Sequence, residues 1–78
     1  MGGQKTRDLA VMEKFGQRVL FLRKQKKLTQ QQLAIKAGLS TSQIARIETG
    51  KLNTTISTLF SIAKAMDVEL TDFFRDFN

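Results

Sequence analysis

The chain has no cysteine, no histidine, no tyrosine, no tryptophan and no proline. Without cysteine, disulfides and thiolate metal sites are excluded. Without histidine, the commonest general base and metal ligand is gone. Only seven acidic residues remain to do chemistry, so neither an enzyme nor a metal or other cofactor is expected. No apolar run approaches the roughly 18 residues of a membrane span, and the N-terminus has no secretory hydrophobic region. Met1-Gly2-Gly3-Gln4-Lys5-Thr6 matches only the permissive pattern for N-myristoylation, so no membrane partner is expected and the chain reads as cytoplasmic. Without proline, and with glycine only at positions 2, 3, 16, 38 and 50, helices must be delimited mainly by capping side chains.

What is present describes one small domain. Hydrophobic residues make up 41% of the 78 and charged ones 26%, the balance of a globular protein and not of a disordered tail. A chain this short buries only about 60–65% of its unfolded surface, so it must pack economically. The net charge is +6 and unevenly spread. From Lys14 to Lys51 nine basic residues face one acid, Glu48, a local charge of +8. Residues 1–13 balance, and residues 52–78 carry two bases and four acids. A basic body with an acidic tail suits a polyanion, with nucleic acid the leading candidate. Charge alone is equally compatible with a solvated lysine-rich surface.

Five helices are legible. Residues 1–11 read as a flexible extension and 12–78 as the domain. Leu9, Met12, Phe15, Val19 and Leu22 follow the i, i+3, i+4 spacing of one helical face, which fades in the run Lys24 to Lys27; Leu20 and Phe21 lie off the stripe. Thr29-x-x-Gln32 is a capping box with Leu28 and Leu33 as its hydrophobic staple, and Gly38 can close that short helix in the left-handed conformation. The grammar repeats at once: Ser40-x-x-Gln43, stapled by Leu39 and Ile44, starts a third helix that ends near Thr49-Gly50. Two short boxed helices across a glycine turn make a helix-turn-helix. A fourth helix near Ile56–Met66 turns Ile56, Leu59, Ile62, Ala63 and Met66 inward, capped by Thr54 or Thr55. Thr71 caps a last helix whose Leu70, Phe73, Phe74 and Phe77 share a face. No two-residue alternation is sustained, so no strand competes. The fold class is all-α, five helices around one core.

The segment from Gln30 to Glu48 followed by Thr49-Gly50-Lys51 resembles the phage repressor/Cro-like (XRE-type) helix-turn-helix domain. The diagnostic places hold small Ala34, Gly38 in the turn, and apolar Leu33, Ala37, Leu39, Ile44 and Ile47. The likeness extends from about Phe15 to Phe74, although the family's usual proline before the fourth helix is missing, with Thr54 at or near that place. The resemblance implies double-stranded DNA as partner and base contacts from the third helix. Inspection of that helix agrees: with Ile44 and Ile47 inward, Thr41, Ser42, Ala45 and Arg46 face out. Arg46 can bond guanine O6 and N7 bidentately, and Ala45 offers a methyl suited to thymine C5. Gln43 is either spent on its own box or free to read a base. By resemblance, Gln30 and its backbone N–H clamp a phosphate at the helix N-terminus. Ser40 and Lys51 are phosphate candidates at the groove edges. Arg18, Lys24, Lys26, Lys27 and Lys36 add long-range attraction or are solvated charges. The resemblance also makes Arg23 and Glu48 an ion pair joining the first helix to the end of the third.

One short recognition helix reads few base pairs, and the resemblance implies a homodimer on a two-fold symmetric operator. Phe73, Phe74 and Phe77 on the last helix are the expected interface, Phe77 above all, since one of the other two is needed to close the core. Leu20 and Phe21 are a second surface. The leading function is a DNA-binding transcriptional regulator, a repressor or autoregulator. The alternatives are an antitoxin or other interaction module that meets a protein partner through its aromatic end, and a non-specific DNA-compacting protein.

Overall fold

Helix formation follows the caps closely. The computed structural model describes residues 2–75, with side chains from residue 9 onward. In chain order come α1 (Gly2–Gln25), α2 (Gln30–Ala37), α3 (Thr41–Glu48), α4 (Ile56–Met66) and a 3-10 helix at Leu70–Phe74. No strand occurs among the described residues.

Helix α1 begins earlier than its apolar stripe suggests. It runs unbroken from Gly2 to Gln25. Twenty-four residues at a rise of about 1.5 Å span roughly 36 Å, close to the molecule's 38 Å long dimension. Phe15, Val19 and Leu22 are buried as the spacing predicts, whereas Leu9 is 55% exposed. The helix ends where Lys27 takes a left-handed φ of 59° and Leu28 N–H bonds back to Arg23 O at 3.1 Å.

Both capping boxes form. Thr29 Oγ1 accepts from Gln32 N–H at 3.0 Å while Gln32 Oε1 accepts from Thr29 N–H at 2.8 Å. Ser40 and Gln43 repeat this at 3.0 and 2.9 Å. Gly38 closes α2 at φ 73°, a conformation nearly free of cost only for glycine. Each box satisfies donors that a helix start otherwise leaves unpaired, which is why two eight-residue helices are sharply delimited.

Of the two residues expected to cap α4, Thr55 does so by accepting from Thr58 N–H at 3.1 Å. The C-terminal third departs from expectation in two places. Ile56, expected inward, is 68% exposed: as the first residue of α4 it precedes the turns that pack on α2. The last element is one short 3-10 helix, so among the described residues the α-helices number four and not five. Five residues are too few for a stable α-helix, and tighter i→i+3 turns are used in such short pieces. Thr71 lies inside it, and Asp72 Oδ2 takes Glu69 N–H at 2.9 Å at its start.

The core joins Phe15, Val19 and Leu22 of α1 to Leu33, Ala34, Ile44, Ile47, Ile62, Met66 and Phe73. Helix α2 packs on both α3 and α4, α1 packs on α3, and the 3-10 helix closes against α1 and α4. Phe73 is fully buried, its ring edge-on to Phe15 at 5.3 Å between centroids. It is therefore a core residue. Phe74 is 46% exposed and stacks on Phe15 at 6.1 Å. Phe77 lies outside the described residues.

Candidate nucleic-acid interface

The seat of α3 is made by contacts that tolerate little change. At Gly16 the backbone of α1 meets the end of α3, and a Cβ there would lie 2.2 Å from Ile47 O and 2.8 Å from Glu48 O. Gly50, just past α3, holds φ 74°, and a Cβ on it would come within 2.8 Å of Glu13 Cγ. Glycine at both points lets α3 lie against α1.

A buried polar network completes the seat. Arg23 and Glu48 are 8% and 6% exposed and pair through two contacts, Nε to Oε2 at 2.5 Å and Nη2 to Oε1 at 3.1 Å. Arg23 Nη1 also donates to Leu28 O, in the α1–α2 turn, at 2.7 Å. Gln30 Nε2 donates to Glu48 Oε1 at 2.9 Å. The end of α1, the start of α2 and the end of α3 are thus bound to one carboxylate. Among the described residues no buried side-chain nitrogen or oxygen lacks a partner, the condition under which a buried pair escapes a severe desolvation penalty.

On its other side α3 is open. Thr41, Ser42, Gln43 and Arg46 are exposed and Ala45 is half-buried, while Ile44 and Ile47 are sealed. Arg46 makes no side-chain hydrogen bond or ion pair among the described residues, so its guanidinium is available. Gln43 is committed through its Oε1 to the capping box, which leaves its amide NH2 for any further contact. Lys51 N–H bonds to Arg46 O at 2.8 Å, which fixes that exposed lysine just beyond the helix end. Ser40 is exposed at the start of α3, and Lys36 is exposed in the last turn of α2. Lys24, Lys26 and Lys27 are exposed as well.

Two expected phosphate contacts have partners within the fold. Arg18 Nε donates to Asp72 O in the 3-10 helix at 2.7 Å, and its guanidinium lies over the Phe21 ring at 5.2 Å. It braces α1 against the C-terminal element and does not join the residues around α3. Gln30 is at the start of α2 as expected, with one of its two amide N–H donors given to Glu48, which leaves the other and the first-turn backbone N–H groups of α2 as donors there. Sequence reasoning missed this third member of the ion pair, since no spacing rule links residues 18 apart. It also missed the role of Gly16, although a glycine in mid-helix that neither caps nor turns is a visible signal of close backbone approach.

Two boxed helices at a glycine turn, the second seated by glycine and a buried ion pair with its outer side open, define a helix-turn-helix module. The chain belongs to the helix-turn-helix family, whose model matches residues 21–73. It is 46% identical over 56 residues to the immunity repressor protein of Bacillus phage phi105, a match spanning 72% of this chain and 39% of that protein's length. Among solved structures it is similar to the restriction-modification controller protein C.AhdI of Aeromonas hydrophila, with a TM-score of 0.82, 37% identity, and coverage of 83% of this chain and 98% of that one. An HTH_3 family transcriptional regulator of Vibrio cholerae also matches at a TM-score of 0.82 and 28% identity, over 86% of this chain and 38% of its own. Among the described residues no helix is long and apolar enough to cross a membrane.

Proposed function

We propose that this chain is a sequence-specific, duplex-DNA-binding transcriptional regulator that works in the cytoplasm as a homodimer, reading the major groove with α3. One observation carries the reading: Thr41, Ser42 and Arg46 are exposed on a helix whose opposite face is fixed by Ile44, Ile47 and Glu48. A helix fits the major groove, where every base pair shows a distinct set of donors and acceptors. Arg46 reads guanine, Thr41 and Ser42 reach base edges or phosphates from the first turn, and Ala45 contributes its methyl. Ser40, Lys51, Lys36 and the first N–H groups of α2 grip the backbone on either side. The similarity to a phage immunity repressor and to a restriction-modification controller supports repression or autoregulation as the use. The reading of the aromatic end as a surface for another protein is weakened by the burial of Phe73.

Selection of bound sequences from a random duplex library at about 150 mM salt tests this, because non-specific binding is strongly weakened there. A two-fold symmetric site with half-sites about one helical turn apart is the expected result. Arg46→Ala should then cost about 1–3 kcal/mol of discrimination at one base pair, measured by competition between the site and single-base variants. Lys51→Ala should weaken all sequences alike and flatten the salt slope. Binding without enrichment would leave a compacting protein driven by the basic segment.

A further inference from the structure

The capping box at the start of α3 decides more than where that helix begins. Ser40 N–H donates to Gln43 Oε1 at 2.9 Å, and Ser40 Oγ accepts from Gln43 N–H at 3.0 Å. Only the oxygen end of a carboxamide can accept from a backbone N–H, so the box also fixes which way the Gln43 amide is turned. Its oxygen points back to the helix start. Its NH2 makes no hydrogen bond among the described residues, and the side chain is exposed.

Arg46 lies three residues on, a neighbour of Gln43 along the helix surface. It too is exposed, and a guanidinium carries donors and no acceptor. This edge of α3 therefore presents two side chains that give hydrogen bonds, with the one acceptor between them already engaged.

Bases differ in what they can offer to such an edge. Glutamine ordinarily marks adenine, because Nε2 donates to N7 while Oε1 accepts from the N6 amino group. That grip needs both ends of the amide side by side on one base, and here Ser40 holds the oxygen. Adenine and cytosine each carry an exocyclic amino donor in the major groove, which would face the Gln43 NH2 donor to donor. Leaving such a donor unpaired in a closed interface is costly. Guanine offers acceptors at N7 and O6, and thymine offers O4.

We infer that Gln43 is a specificity-determining residue that reads a keto base, guanine or thymine, through its NH2 alone. The base lies on the pair adjacent to the guanine of Arg46, and the capping box is what excludes adenine. This rests on the regulator reading above and deepens it by naming the class of base that one more side chain accepts.

Selection from the random duplex library, repeated with variants of the full chain, tests this. Arg46→Ala locates its guanine as the position where preference relaxes. Beside that position the parent chain should favour guanine or thymine over adenine roughly tenfold. Gln43→Ala should bring this preference below about twofold and leave the Arg46 guanine as strongly selected as before. Gln43→Glu keeps one oxygen for Ser40 N–H, since glutamate serves a capping box as glutamine does, and turns an acceptor outward. Cytosine, whose N4 donates, should then replace the keto base. Gln32→Ala removes the matching box on α2 and should leave every base preference unchanged. In the free protein, amide exchange at Ser40 should quicken at least ~5-fold in Gln43→Ala and stay slow in Gln43→Glu. Adenine selected beside the Arg46 guanine, or an unchanged preference there in Gln43→Ala, overturns the inference while the regulator reading stands. Absence of any enriched sequence defeats that reading and the base assignment together.

Discussion

Helices α2 and α3 are near twins in their sequence grammar and opposites in their use. Each has eight residues, a hydroxyl N-cap and a reciprocating glutamine. Yet α2 is clasped between α3 and α4, whereas α3 rests on α1 and α2 and keeps Thr41, Ser42 and Arg46 open. Capping chemistry makes a helix; it does not decide which face stays open. The difference lies in what holds each one. Helix α2 is held mainly by apolar burial, with Gln30 at its start tied to Glu48, while α3 is fixed at its C-terminal end by the close approach at Gly16 and by the paired Arg23 and Glu48.

The sharpest way to break that contrast is Glu48→Ala. It strands Arg23 in a buried site, and a loss of about 3–5 kcal/mol in urea unfolding is expected. A loss below about 1 kcal/mol, the scale of an exposed pair, would mean that the network does not seat α3. Next in size is Gly16→Ala. Glycine to alanine inside an exposed helix normally gains roughly 0.5–1 kcal/mol; here the Cβ would collide with Ile47 O, and thermal denaturation should show a loss of about 3 kcal/mol. The sign alone decides whether α1 and α3 touch there.

The likeness of the twins is tested by Thr29→Ala and Ser40→Ala. Each removes one cap and should cost about 1 kcal/mol, with the two losses nearly equal because the boxes have matching geometry. A much larger loss at Ser40 would show that α3 depends on its cap in a way α2 does not. The smallest effect is a gain. Glycine closes α2, but lysine closes α1 at φ 59°, and Lys27→Gly should raise stability by about 1 kcal/mol in chemical denaturation by relieving left-handed strain.

The caps, the glycine turn and the outward set Thr41, Ser42 and Arg46 were legible because each follows from local spacing. Ile56 was misread for an equally local reason: helical periodicity places it on the inner face, but at the first turn of α4 no neighbour covers it. Phe73, Phe74 and Phe77 have the same side-chain chemistry, and only the closure of the 3-10 helix on Phe15 buries the first and leaves the second half-exposed. Arg18 and Lys36 were indistinguishable as surface bases until the fold brought Arg18 to the Asp72 carbonyl.

The sequence by itself determined where the two helices of the helix-turn-helix start and stop, since capping boxes and a left-handed glycine act through hydrogen bonds a few residues apart. It also determined the basic body, because charge is additive along a chain. Tertiary structure alone decided that Glu48 serves Arg23 and Gln30 together, that Gly16 is a contact and not a flaw, and which aromatics are buried. Those outcomes depend on residues 18 to 58 positions apart meeting in space, and no local rule carries that distance.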